Sequence, residues 1–221
     1  MEWTPLLLSF KLATITTFIL FWLSLPIAYW LAESRGWWKP IVESVVALPI
    51  VLPPSVLGFY LLLLLSPEGW IGQLLKGLGV QLLFTFPGLV VGSLIYSLPF
   101  MVQPLQRGFE GVNRRWIEAS YIAGKGRLET LYRVILPNMK GAILTGIIIT
   151  FAHTIGEFGV VLIIGGAIPG KTEVASVAIY NAIENLDYTK AHHYSSILLL
   201  FSFVVLLGVH LYSSLERRKY D

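Results

Sequence analysis

Few residues in this chain are of a type that could take part in chemistry. The most conspicuous of them, Glu157 and His153, lie in an apolar segment. Glu157 is the one carboxylate deep within a long apolar segment, and His153 precedes it by four residues. On a helix the two side chains share one face and could share a proton. An ionisable side chain inside an apolar membrane span is costly, so its presence is first interpreted as functional. Two roles stay open for Glu157, a structural hydrogen bond or ion pair and a direct part in gating, whereas binding an anion is least favoured because like charges repel.

Metal, thiol and nucleotide chemistry find no support in the sequence. The chain contains no cysteine, so a thiol nucleophile, a disulfide or a Cys-type metal site is excluded. His153 and Glu157 alone supply too few ligands for a metal ion, and His192-His193 indicates an ordinary interfacial patch. No glycine-rich loop followed by Lys-Ser or Lys-Thr is present. We therefore expect no catalytic residues, no metal site and no enzyme activity in this chain.

The composition is typical of a polytopic membrane protein. The 221 residues are 55% hydrophobic and only 13% charged, about half the charge of a soluble domain. The apolar residues form long blocks instead of following a core periodicity. The net charge of +3 is small, and no solvated basic domain supports nucleic-acid binding. The first block lacks a positive n-region and a cleavage site, so we expect a retained span and not a signal peptide.

The blocks predict one all-α transmembrane domain over residues 1–221 with five spans. They lie at roughly 6–31, 41–65, 86–105, 142–164 and 195–215, with a long polar loop at roughly 107–140. Each is long enough to cross a bilayer core of about 30 Å at about 1.5 Å per helical residue. Residues 71–83 and 173–183 predict short helices that are too short and too polar to cross.

Two of the predicted spans contain prolines or glycines that can disturb a helix. Pro53-Pro54 removes two backbone donors within the second span, and the freed carbonyls need partners in protein or in a wet cavity. A kink that serves packing and a broken helix that lines a transport path are both consistent with this pattern. The fourth span carries glycines on both sides of Glu157. The resulting candidates for the pathway or its gate are Pro53, Pro54, Ser55, Gly156, Glu157, Phe158 and Gly159.

Residues 114–137, here called the basic elbow, form the one long polar interruption that is also rich in positive charge. Gly124 predicts a break between two short helices, since glycine tolerates the left-handed turn that ends a helix. In the first helix, around Trp116 to Ala123, a single face is expected to carry Trp116, Ala119, Ser120 and Ala123. Leu136-Pro137 is expected to close the second helix, because proline disfavours helical geometry in the residue before it.

The distribution of positive charge predicts the orientation. Twelve of the 16 Lys and Arg residues fall on one side of the five spans, namely Arg35, Lys39, Arg107, Arg114, Arg115, Lys125, Arg127, Arg133, Lys140, Arg217, Arg218 and Lys219. The positive-inside rule then places the basic elbow and the C-terminus in the cytoplasm and the N-terminus outside.

The basic elbow also resembles a known motif. Its residues Glu118-Ala119-Ser120, Gly124 and Ile135-Leu136-Pro137 are similar to the EAA loop in permease subunits of ABC importers, with Ser120 where that pattern has a second alanine. The resemblance implies a coupling helix that docks in a cleft of a cytoplasmic ATPase. The residues to which it assigns this contact are Arg115, Trp116, Glu118, Ala119, Ser120, Gly124, Leu136 and Pro137.

Two further stretches resemble the molybdate permease family. They are residues 48–58, and residues 156–159 continuing into 168–172 and 178–180, so that the resemblance extends from about Leu6 to Ser213. It implies a type I ABC importer permease fold in a bacterial or archaeal cell membrane. It also implies a homodimer, two ATPase subunits that bind ATP and Mg, and an external molybdate-binding protein. That protein is expected to dock near Ile168, Pro169, Gly170, Lys171, Thr172 and Tyr180.

Other functions remain open at this point. Sulfate/thiosulfate permeases share much of the same pattern, and a tungstate importer fits it equally well. A secondary transporter or channel that works alone would be expected to show inverted symmetry or several buried charges, and neither is present. A structural assembly factor would not need spans broken by proline.

Overall fold

A computed structural model of the chain describes residues 2–217, without the side chains of residues 209, 210 and 212–217. Over these residues the fold is all-α, as expected, and contains no strand. In chain order the helices are α1 (Thr4–Glu33), α2 (Trp38–Val51), α3 (Pro54–Leu65), α4 (Trp70–Gly77), α5 (Phe86–Gly111), α6 (Arg114–Ile122), α7 (Arg127–Thr130), α8 (Leu136–Asn138), α9 (Lys140–Gly156), α10 (Gly159–Gly165), α11 (Ala175–Glu184) and α12 (Tyr188–Arg217), with a π-helical segment at Leu131–Ile135. Arg218 and Lys219, used above for the orientation, lie outside the described residues.

The helices are long and apolar enough for three to five membrane crossings. Among the described residues α1, α5 and the Tyr188–Gly208 part of α12 can each cross alone. Two bent pairs could each form one more span: α2 with α3, bent by 110°, and Arg127–Asn138 with α9, bent by 72°. The predicted fourth span, 142–164, is not one helix, because α9 ends at Gly156 and α10 begins at Gly159.

Helix α5 lies at the centre of the fold and packs against α1, α2, α9 and α10. It begins where the Thr85 hydroxyl accepts a hydrogen bond from Gly88 N at 3.3 Å, which satisfies one of the free amides of the first turn. Leu89, Met101 and Leu105 on this helix are fully buried. Because α5 touches most of the other long helices, its serines Ser93 and Ser97 are placed in the interior of the protein.

The break between α2 and α3 follows from covalent geometry. Leu52 and Pro53 each precede a proline, and both have ψ near 135°, outside the helical region. A residue before proline is forced into this extended conformation by a clash with the proline ring. Pro49 also lies within α2, yet the helix continues through it. Of the two interpretations of Pro53-Pro54, the structure therefore shows a broken helix.

In the basic elbow, the chain turns at Gly124 as predicted. Asn113 caps α6 by accepting a hydrogen bond from Arg115 N at 3.0 Å. Gly124 adopts a φ of +77°, and its N–H donates to Tyr121 O at 2.9 Å. The left-handed residue closes α6 and lets α7 start at Arg127 in a new direction.

The expectation that Leu136-Pro137 closes the second helix is wrong. A π-helical turn over Leu131–Ile135 precedes the proline, so Pro137 falls in the first turn of α8, where its missing N–H breaks no hydrogen bond. The chain bends instead at Met139, which has φ −109° and ψ 20°, and α9 begins at the next residue.

Candidate functional site

Two of the helix breaks, between α2 and α3 and between α9 and α10, touch each other. A Cβ built on Gly159, at the start of α10, would lie 2.7 Å from Cβ of Pro54 at the start of α3. At Gly58, one turn along α3, a Cβ would meet Val160 Cα at 3.3 Å. These distances are tighter than ordinary contacts, so glycine is what allows the two backbones to approach. As a result α3 packs directly on α10, and the interruptions of two predicted spans form one joint structure.

The break between α9 and α10 has a different cause from the proline break. Glu157 adopts an extended conformation with φ −64° and ψ 132°, which ends α9. Its carbonyl, which a continuous helix would have satisfied, instead accepts a hydrogen bond from the Ser176 hydroxyl on α11. A partner from another helix therefore replaces the missing intrahelical bond. This explains why the predicted span 142–164 is interrupted without a proline.

An open cavity of about 570 Å³ lies where the breaks meet. Its lining residues are Pro54, Ser55, Tyr96, Ala152, His153, Gly156, Glu157, Phe158 and Gly159. Six of the seven pathway candidates are thus brought together, although they come from two predicted spans. The seventh, Pro53, is exposed and forms the N-cap of α3. The cavity presents hydroxyl, imidazole and backbone groups beside apolar carbon, which suits brief contact with a polar solute.

The carboxyl of Glu157 is held inside the protein and not offered to the cavity. The residue is only 3% exposed, and its Oε2 accepts a hydrogen bond from the Ser93 hydroxyl at 2.7 Å. Its Oε1 is buried and has no hydrogen-bond partner within the described part of the chain. None of the ion pairs found over residues 2–217 involves it. The structure therefore shows Glu157 in a structural hydrogen bond, and a direct contact with an anion is disfavoured by burial as well as by charge.

His153 lines the same cavity, but its hydrogen-bond partner is Ser97 and not Glu157. Its Nδ1 lies 3.0 Å from the Ser97 hydroxyl, and its ring stacks on Phe100 with 4.0 Å between ring centroids. The expected proton sharing between His153 and Glu157 is not what the structure shows. Because Glu157 has left helical geometry, the two side chains bind separate serines, one turn apart on α5.

Sequence reasoning missed the polar side of α5. Ser93 and Ser97 are fully buried, and Tyr96 lines the cavity beside them. A signal was available, since these residues recur at three- and four-residue spacing within an otherwise apolar segment. Ser176 had no such signal, because its partner is a backbone carbonyl distant in sequence.

The four residues predicted to share one face of the first helix in the basic elbow differ in their exposure. Ser120 is buried, and its hydroxyl lies 2.9 Å from the Thr130 hydroxyl, which joins α6 to α7. Trp116, Ala119 and Ala123 are exposed. The prediction of a single face is therefore wrong for Ser120, which points inward because Thr130 offers it a buried partner.

The outer surface of the basic elbow is unusually apolar for a polar loop. Among the residues assigned to coupling, Arg115, Trp116, Glu118, Ala119, Gly124 and Pro137 are exposed, whereas Leu136 packs against the core. Around them Ile122 is 89% exposed and Leu128 is 72% exposed. Exposed apolar side chains surrounded by charge are typical of a docking surface.

The residues expected to receive an external protein do not all reach the surface. Pro169, Gly170 and Lys171 are exposed and Ile168 is half-buried. Thr172 is completely buried, since its hydroxyl donates to Gly165 O at 2.7 Å and accepts from Ile168 N at 3.0 Å. Thr172 therefore holds the loop in shape and cannot itself contact a partner here.

The tyrosine of the same expected set packs against a residue of the cavity wall. Tyr180 is 40% exposed, and its ring centroid lies 5.1 Å from that of Phe158, one of the residues that line the cavity. Helix α11, which carries Tyr180, is anchored at its first residue, because Ala175 N donates to the Ser9 hydroxyl of α1 at 2.8 Å. The expected docking region is thus in direct contact with the cavity wall.

His192 and His193 form their hydrogen bonds within their own helix. His193 Nδ1 lies 2.7 Å from Thr189 O, and His192 Nε2 lies 3.4 Å from the Ser196 hydroxyl. Over the described residues no group of three or more His, Cys, Asp or Glu side chains is placed to hold a metal ion.

Comparison with known proteins agrees with this architecture. Residues 24–219 match the family described as "Binding-protein-dependent transport system inner membrane component". The chain belongs to this family. It is accordingly a multi-pass inner-membrane component of a transport system, and such a subunit is not itself catalytic.

Individual relatives and one solved structure show which proteins this chain is similar to. The chain is 49% identical to the molybdenum transport system permease protein ModB of Azotobacter vinelandii, over 94% of this chain and 91% of that protein. It is 35% identical to a probable sulfate transport system permease protein of Chlorokybus atmophyticus, over 81% of this chain and 63% of that protein. A crystal structure of a bacterial ABC transporter that imports alginate shares the fold, with a TM-score of 0.77 at 17% identity, over 96% of this chain and 78% of that one.

Proposed function

We propose that the chain is the membrane-spanning permease subunit of an ATP-driven molybdate importer. The observation that carries this proposal is the 49% identity with a molybdenum permease along nearly the whole length of both proteins. The second candidate is a sulfate permease, favoured by the relatives at about 35% identity. The larger identity, spread over more of both chains, favours molybdate.

The cavity at the joined helix breaks forms part of the translocation path. Irregular backbone at membrane depth is tolerated where it lines a cavity, and substrate sites of transporters commonly lie at broken helices. The hydroxyl groups of Ser55 and Tyr96 and the open backbone dipoles can contact an oxyanion weakly, and no fixed positive charge is needed. Weak contacts suit a path, because a transporter must release its cargo. The Glu157 carboxyl is buried behind the wall, so it makes no direct contact with an anion in the cavity.

The basic elbow faces the cytoplasm and receives the ATPase, with the N-terminus outside and the C-terminus inside. Two copies of the chain form the path, and two ATPase subunits bind ATP and Mg²⁺ and carry out hydrolysis. An extracytoplasmic molybdate-binding protein delivers the anion to the loop at residues 168–172. In this assignment the permease chain itself binds no cofactor.

The proposed mechanism uses the basic elbow as a lever. ATP binding closes the ATPase dimer and brings together the two copies of α6, whose exposed Trp116 and Ile122 lie in the contact. The spans then rock from inward-open to outward-open and accept the anion, and hydrolysis resets them. The Ser120–Thr130 hydrogen bond keeps α6 and α7 together, so that the push reaches α9.

Reconstitution tests the proposal directly. The chain is co-purified with its proposed ATPase subunit and placed in liposomes, and molybdate uptake is measured with the binding protein and ATP supplied. Uptake that requires both, and that excess sulfate does not suppress, supports a molybdate importer. Preferred uptake of sulfate would support the second candidate. Movement of either anion through the chain without the ATPase would overturn the importer assignment, and preference for tungstate would revise the cargo.

A further inference from the structure

Glu157 forms hydrogen bonds with two different helices, α5 and α11. Its backbone carbonyl is bound by Ser176 on α11, and its carboxyl is bound by Ser93 on α5. Helix α11 directly follows the exposed loop at residues 168–172, whereas α5 supplies the buried core of the cavity wall. A single residue at the break thus links the outer loop region to the centre of the protein.

A second contact also joins α11 to the break between α9 and α10. Tyr180 lies one helical turn after Ser176 on α11, so both side chains are on one face of that helix. Ser176 binds the carbonyl of Glu157, and the Tyr180 ring packs against Phe158 with 5.1 Å between centroids. Any shift of α11 therefore acts on two consecutive residues of the break between α9 and α10.

The arrangement at Glu157 leaves one hydrogen-bonding position unfilled. Its Oε1 is buried without a partner among the residues described, although buried polar atoms in folded proteins are nearly always paired. An unpaired carboxyl oxygen gains stability from any movement that brings it a donor. Among the residues described, the Ser93 hydroxyl is therefore the one side-chain group that holds the Glu157 carboxyl in place.

Resting on the function proposed above, we propose that Glu157 is a positioning residue that transmits docking of the external binding protein to the cavity. Contact at residues 168–172 displaces α11, and Ser176 and Tyr180 carry the displacement to Glu157 and Phe158. The Ser93 bond sets where the break returns when the partner leaves. The cavity mouth opens in response, because Phe158 and Gly159 belong to its lining.

Removing the Ser176 hydroxyl tests this route. ATP hydrolysis by the reconstituted complex is measured against the concentration of molybdate-loaded binding protein, for the native chain, Ser176→Ala and Ser176→Thr. For Ser176→Ala we expect the plateau of stimulation to fall about three- to tenfold, the loss expected for one hydrogen bond. The basal rate and the half-saturating concentration should not change, and Ser176→Thr should restore the plateau because it keeps a hydroxyl.

The control variant is Ser24→Ala, which removes a hydroxyl that is fully buried on α1 and has no partner in the described structure. It should keep the native plateau. A native plateau in Ser176→Ala would overturn the proposal, and so would a plateau that falls together with the basal rate, since that indicates general damage. A raised half-saturating concentration alone would assign Ser176 to docking and also overturn it. Failure of the function proposed above is recognised separately, because the native complex itself would then show no molybdate uptake.

Discussion

Ser93 and Glu157, 64 residues apart in sequence, are joined by a hydrogen bond of 2.7 Å from the serine hydroxyl to Oε2 of the carboxyl. This is the only hydrogen bond to the Glu157 carboxyl within the described part of the chain, and the other oxygen is buried without a partner. The side chain at the break between α9 and α10 is therefore joined to the central helix by this bond. The predictions below concern this point, the contact between the two breaks, and the basic elbow.

Ser93→Ala is expected to destabilise the protein. It leaves a buried carboxyl with no partner, which costs about 1–3 kcal/mol. Thermal unfolding of the purified protein in detergent should show a lower midpoint than the native chain. Ser24→Ala provides the control, because the hydroxyl that it removes is equally buried but unpaired. Equal midpoints for the two variants would show that the Ser93–Glu157 bond contributes nothing to stability.

Gly159→Ala should disrupt the contact between the helix breaks. The added Cβ would lie 2.7 Å from Pro54 Cβ, and overpacking of this kind costs about 1–3 kcal/mol. Gly156→Ala is the matched control, since no atom lies within 4 Å of the Cβ that it adds. We expect Gly159→Ala alone to lower the unfolding temperature. If Gly156→Ala is equally harmful, the close approach of α3 and α10 is not what glycine serves here.

Gly124→Val should separate ATP hydrolysis from uptake. A β-branched residue at φ +77° is strained by about 1–2 kcal/mol, so the turn between α6 and α7 must change shape. Gly126→Val is the control, because Gly126 has an ordinary φ of −73° and equally open surroundings. The measurement is the amount of molybdate taken up per ATP hydrolysed, with membrane content determined by immunoblot. Normal coupling in Gly124→Val would count against the basic elbow as the coupling device.

Ile122→Ser should weaken binding to the ATPase without affecting the fold. The side chain is 89% exposed, so its removal disturbs little within the chain, but it takes apolar area from the proposed docking surface. Co-purification with the ATPase should fall while the unfolding temperature stays constant. Leu78→Ser, which alters a largely exposed aliphatic residue just after α4, should leave co-purification intact. Loss of the ATPase in both variants, or in neither, would refute a specific contact at Ile122.

Much of the fold could be derived from the sequence because its causes are local. Long apolar blocks correspond to α1, α5 and α12, since backbone groups in a membrane must be satisfied within the helix itself. Pro53-Pro54 breaks α2 from α3 through clashes between adjacent residues, and Gly124 permits a left-handed turn for the same kind of reason. The family resemblance of the basic elbow also rests on residues close together in the chain.

The tertiary structure alone decided the features that depend on distant partners. Glu157 leaves the helix because Ser93 and Ser176 bind it from two other helices. Ser120 turns inward because Thr130 is there to receive it, and Thr172 is buried by Gly165 and Ile168. The sequence alone thus determined the breaks at Pro53-Pro54 and Gly124, because their causes are local. Packing determined the break at Glu157 and which breaks meet, because hydrogen bonds between remote residues form only once the helices are assembled.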